Sequence, residues 1–106
     1  MTKRAVNWGR YALTDLEKCI MNYSYCEVDN VSEQDLLRIY DKMRMGGMIR
    51  DFRFTYLGQS RDGNVITIHE LLHVRRNNGI VDVYSVDIVY RNRDVTRVRV
   101  EKLFSI

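Results

Sequence analysis

The chain has 106 residues, 45% of them apolar and 29% charged, with a formal net charge of +3. That is the length of a single domain with enough apolar material to offset the entropy of folding, which argues against disorder and against a second domain. No apolar run approaches the roughly 20 residues that cross a bilayer, and the basic N-terminus lacks the apolar stretch of about 7 to 15 residues that marks a secretory leader, so no membrane association and a cytoplasmic location are expected.

Residues 1–12 read as an N-terminal arm. In it Trp8 stands near Tyr11 with Lys3, Arg4 and Arg10 around it, the composition of a binding hot spot if exposed, or of a lid docked on the core if not. Thr14-Asp15-Leu16-Glu17 has the form of a capping box, so a helix is expected to begin there. Its apolar stripe is Leu16, Cys19, Ile20 and Tyr23, and it should end near Cys26. On one continuous helix, Cys19 and Cys26 would lie about 10 Å apart, beyond disulfide reach, so both are expected as buried free thiols. A second helix is expected from Glu33 to near Met45. Ser32 caps it with Asp35 in reply, Val31 is placed to staple against Leu36, and Leu36, Ile39, Tyr40 and Met43 form its buried stripe. Gly46-Gly47 can take the positive φ angles that end a helix. Met43, Met45 and Met48 bracket that glycine pair, either as ordinary packing or as the lining of an adaptable groove.

From Met48 the period changes to two, with Met48, Phe52, Phe54 and Tyr56 on one face. Asp62-Gly63 suits a tight reversal into the β-branched run from Val65 to Ile68, so the two segments form a hairpin. Asn77-Asn78-Gly79 turns the chain into Ile80–Tyr90, and Asn92-Arg93-Asp94 turns it into Val95–Phe104. Connections this short join antiparallel neighbours. The fold expected is therefore α+β: two N-terminal helices packed on a four-stranded, mostly antiparallel meander sheet, forming one domain over 1–106 with a helical part at 14–45 and the sheet at 48–104. In element order this looks like the cystatin-like and nuclear-transport-factor-2-like architectures.

His69-Glu70-Leu71-Leu72-His73 matches H-E-x-x-H and so resembles a zinc metalloprotease over five residues, which would make the two histidines ligands and Glu70 the base. That chemistry requires a helix. The strand formers leading into the motif predict an extended segment, in which the imidazoles lie about 13 Å apart, too far to share one metal. No third ligand is apparent, so no metal and no cofactor are expected. Strict alternation would aim Glu70 inward, where a bulge, an arginine or tyrosine partner, or a polar pocket must satisfy it.

The second half carries the charge excess, ten basic against seven acidic groups over residues 50–106. Its densest basic cluster is Arg91, Arg93, Arg97 and Arg99, whose guanidinium forks suit phosphate or carboxylate. Tyr84 and Tyr90 on the preceding strand are expected to add stacking surface, and pairing of the arginines with Asp82, Asp87 or Glu101 is the plainer alternative. No P-loop, dinucleotide fingerprint or nucleophile elbow occurs.

The leading expectation is a small non-catalytic binding module, an adaptor or inhibitor of the kind viruses and mobile elements carry. It would dock on a protein or nucleoprotein partner through this basic face, with Trp8 as a further contact. Three alternatives are a nucleic-acid-binding protein, a pocket protein or enzyme using Tyr40, Phe54, Tyr56 and Glu70 on the concave face, and, least favoured, a zinc hydrolase. Homodimerisation through Val95–Val100 as an edge strand is a further option.

Overall fold

A computed structural model describes the backbone of residues 9–106 and the side chains of 16–94 and 97–106. The elements run α1 (Gly9–Asn22), β1 (Tyr25–Asp29), α2 (Glu33–Met45), β2 (Asp51–Asp62), β3 (Val65–Arg75), β4 (Val81–Arg91) and β5 (Asp94–Ser105). The strands form one five-stranded antiparallel sheet in the order β1-β5-β4-β3-β2. The α+β class and the antiparallel run of the last four strands agree with expectation, while a fifth strand corrects the four-stranded meander. No helix among the described residues is long and apolar enough to cross a membrane.

The fifth strand lies between the helices. Tyr25–Asp29 alternates, burying Cys26 and Val28 and turning Tyr25, Glu27 and Asp29 the other way. Asn30, at φ 62°, then swings the chain towards α2, a conformation that asparagine tolerates better than most residues. Because β1 pairs with β5, the latter is an interior strand; the expectation of Val95–Val100 as an edge is corrected.

Helix α1 is already formed at Gly9, so Thr14 lies within it and does not mark its start, and residues 9–12 of the expected arm are helical. It stops at Asn22, four residues before the expected end. The reversal after Asn22 carries Cys26 back beside Cys19, with their Cα atoms 5.7 Å apart and their sulfurs joined in a disulfide. The expected free thiols assumed a single helix through both positions; the early helix end removes that separation.

Helix α2 follows its sequence signals closely. Ser32 Oγ accepts from the Asp35 amide at 3.3 Å, and Asp35 Oδ2 accepts from the Ser32 amide at 2.8 Å, a reciprocal capping box. Gly47, at φ +79°, supplies the left-handed residue after the helix, whereas Gly46 stays at negative φ.

Strand β2 begins at Asp51, three residues later than expected. Two-residue reversals join β2 to β3 at Gly63-Asn64 and β4 to β5 at Asn92-Arg93. Asn92 and Arg93 both have positive φ, the mirror-image turn whose twist suits a hairpin. The core lies between the helices and one sheet face, where Leu16, Leu36, Ile39 and Tyr40 pack on Val28, Leu72, Val86, Ile88, Val98 and Val100. We call this the inner face.

Candidate functional site

The outer face is set by register. One cross-strand row runs Gly58, His69, Asp87, Arg99, Glu27, and the next runs Ser60, Thr67, Val89, Arg97, Asp29. Alternation explains both rows: Ile68, Glu70, Val86, Ile88, Val98 and Val100 turn to the core, so their neighbours in sequence turn outward.

Polar groups on these rows bond across the strands. His69 Nδ1 lies 2.8 Å from Asp87 Oδ1, and His69 Nε2 lies 3.0 Å from Ser60 Oγ. An ionised carboxylate only accepts, so Nδ1 donates towards Asp87, and Nε2 shares the second bond with the Ser60 hydroxyl. The second oxygen of Asp87 meets Arg99 Nη2 at 3.3 Å. Arg97 donates from Nε to Asp29 at 2.8 Å and from Nη1 to Glu27 at 2.7 Å.

Between these rows and the β4–β5 end of the sheet lies a hollow of about 460 Å³, with Arg91, Arg97 and Arg99 among its lining, Val65, Thr67 and Val89 from the adjoining strands, and Asp29-Asn30 at the end of β1. Arg99 Nε is buried there without a hydrogen-bond partner among the described residues. Arg91 is exposed and has no ion-pair partner among the described residues. Three guanidinium groups, one unpaired among the described residues and one with an unused donor, can receive carboxylate or phosphate oxygens.

The structure thus brings three of the four expected arginines together. Arg93, at φ 74° in the β4–β5 turn, is exposed and does not line the hollow. Tyr84 and Tyr90 pack against the core from the inner face, so they give the arginines no stacking surface; two-residue alternation places them opposite Arg91 and its row. Asp82 is also on the inner side, bonded to Arg76 rather than to the cluster. Trp8 lies outside the described residues.

The four expected pocket residues do not form one pocket. Tyr40 is buried against Phe52 and Phe54, with ring centroids 5.8 and 6.3 Å away, as part of the core. Tyr56 is 60% exposed near the bulge in β2. Glu70 is buried, and the expected bulge lies opposite it on β2, between Tyr56 and Gly58, instead of in its own strand. Its Oε1 has no hydrogen-bond partner among the described residues, and burial first, then the nearby carboxyl of Glu33, push its pKa up to about 7.

Residues 65–75 are extended, so the helix that H-E-x-x-H chemistry needs is not present, and His69 and His73 lie two outward positions apart on one strand. The Ser60–His69–Asp87 alignment was outside the sequence reading. Its only signal was the outward phase of His69, and the cross-strand register that completes it cannot be read from one segment. Comparison with family models, curated proteins and solved structures finds no match for this chain.

Proposed function

We propose that the protein is a small non-catalytic binding module, an adaptor or inhibitor, that docks a protein partner on its outer sheet face. The observation that carries this is the arginine-lined hollow on the side of the sheet that α1 and α2 do not pack against. Carboxylates from Glu27, Asp29 and Asp87 already answer Arg97 and Arg99, so the face is mixed in charge. A surface of that kind favours an acidic protein segment that exchanges for these internal partners over a continuous phosphate backbone, which demands unopposed positive charge.

The test is capture from the source cell with wild type and with the outward charge reversals Arg91→Glu and Arg99→Glu. The expected result is a stoichiometric protein that survives nuclease and is lost from both variants. Recovery of nucleic acid with affinity falling steeply in salt, or a partner indifferent to both reversals, sinks the proposal. The cytoplasm is part of this reading, although a buried disulfide is typical of oxidising compartments. Acid-quenched alkylation of cell extracts reports whether the Cys19–Cys26 bridge of the folded chain is present in the source cell.

A second reading is favoured by one observation, the Ser60–His69–Asp87 spacing, which is that of a hydrolytic triad. In it Ser60 Oγ would bond to an ester carbonyl carbon as its proton passes to His69 Nε2 and the carbonyl π pair moves to oxygen; the adduct would collapse by breaking the ester C–O bond, the leaving alcohol taking that proton from His69, and water would release the acyl group in the same way. It ranks second because Ser60 is exposed on an edge strand and Asp87 divides its carboxylate between His69 and Arg99. Covalent labelling by a fluorophosphonate, abolished in Ser60→Ala and His69→Gln, would promote it.

A further inference from the structure

A separate hollow opens on the inner face beneath the helices. It measures about 240 Å³, and Met21, Met43, Met48 and Ile49 line it along with Tyr40, Tyr84 and Asp82. Met21 and Met48 are half-exposed and form its lip, while Tyr40 is 1% exposed.

Tyr40 is the informative residue. Its Oη is buried without a hydrogen-bond partner among the described residues, a condition that native structures seldom leave uncorrected. Burial first, then the neighbouring Tyr84 and Asp82, disfavour loss of its proton, so the group is a donor in want of an acceptor. Asp82 does not serve, because its oxygens are taken by Arg76 at 2.7 and 2.7 Å, by Ser105 at 2.6 Å and by Lys102 at 3.4 Å.

The surroundings define what would fit. The Asp82 carboxylate beside the phenol repels an anion, the Arg76 guanidinium repels a cation, and the thioether and aliphatic walls favour carbon. A dry cavity of about 150 Å³ accepts benzene, so this volume suits one ring with a short substituent. Methionine side chains at the lip adapt to the shape of what enters.

We propose that this hollow is a binding site for a neutral compound of single-ring size bearing one carbonyl oxygen, which accepts from the Tyr40 hydroxyl. The site lies on the opposite side of the sheet from the docking face and does not depend on it.

The experiment follows methionine-methyl NMR signals of the full chain during titration with acetophenone and with ethylbenzene, which has a similar shape and no acceptor. In wild type the Met43 and Met48 methyls should shift saturably, with acetophenone bound at least about fivefold more tightly, the worth of one net hydrogen bond. Tyr40→Phe, checked for native near-UV dichroism, should erase that preference while still binding ethylbenzene. Met48→Trp, placed at the exposed lip and leaving the core alone, should weaken both ligands. Absence of saturable shifts in folded wild type, equal affinity for the two compounds, or a preference that persists in Tyr40→Phe would each overturn the proposal and leave water as the partner of Tyr40.

Discussion

Glu70 extends from β3 towards the first turn of α2, where the Glu33 carboxyl lies against it and the Tyr90 phenol is near. Its raised pKa means that the folded chain prefers the protonated acid. This contribution to stability is complete below about 4.5 and is lost as pH rises towards about 7. Glu70→Gln should therefore be nearly neutral in urea unfolding at pH 4 and gain about 1–2 kcal/mol over wild type at pH 8. Asp82 behaves oppositely. The two bonds from Arg76, aided by Ser105 and Lys102, hold its carboxyl down at about 2 against an ordinary 3.8, so its contribution is present above 3.8 and lost as pH falls through about 2. Asp82→Asn should cost about 1–3 kcal/mol at pH 7, where it leaves Arg76 without its charged partner, and the deficit should shrink towards zero near pH 2 in the same unfolding measurement. The inward phase of Glu70 was legible from alternation alone. Its neighbour was not, because Glu33 arrives from a different element and its distance from Glu70 in sequence carries no trace of the contact.

Elements with their determinants close in sequence were the readable ones. Ser32, Asp35 and Gly47 lie within or beside α2 and delimit it by local hydrogen bonds and backbone freedom, and Asp62-Gly63, Asn77-Asn78-Gly79 and Asn92-Arg93 mark the reversals in the same local way. The start of α1 was misread because Thr14-x-x-Glu17 satisfies a capping pattern in the middle of a helix as well as at its end. β1 was missed because five alternating residues give a weak signal, and the strand it pairs with lies some seventy residues later. The Cys19–Cys26 bridge follows from that missed strand, since it ties the end of α1 to β1 across a loop of seven. Replacing both cysteines with serine should cost about 2–3 kcal/mol, and wild type measured in excess dithiothreitol should match the variant in denaturant midpoint. Equal midpoints with and without reductant would show that the crosslink contributes nothing.

At the scale of the whole molecule, one sheet divides the protein into a helix-covered side with a small hollow and an open side with an arginine-lined one. That division was legible in β5, where alternation separates Val98 and Val100 from Arg97 and Arg99, but not in β4, where Tyr84 and Tyr90 were expected beside the arginines and lie on the inner face. The order of strands was not, and with it went the identity of the edges, which are β1 and β2. If two copies pair, β2 is the long strand available, and its bulge at Leu57 together with Asp51, Arg53, Arg61 and Asp62 discourages flat pairing. Deleting Leu57 keeps Tyr56 opposite Glu70 and Gly58 opposite His69 but removes the kink, so sedimentation velocity should show increased self-association. The antiparallel seam between β1 and β5 also has a temporal consequence. During synthesis the early strand emerges with its neighbour still untranslated, so Tyr25–Asp29 must wait for residues 97–101 before the sheet can be sealed. A ribosome halted before that point would hold a nascent chain whose first half has no seam to close.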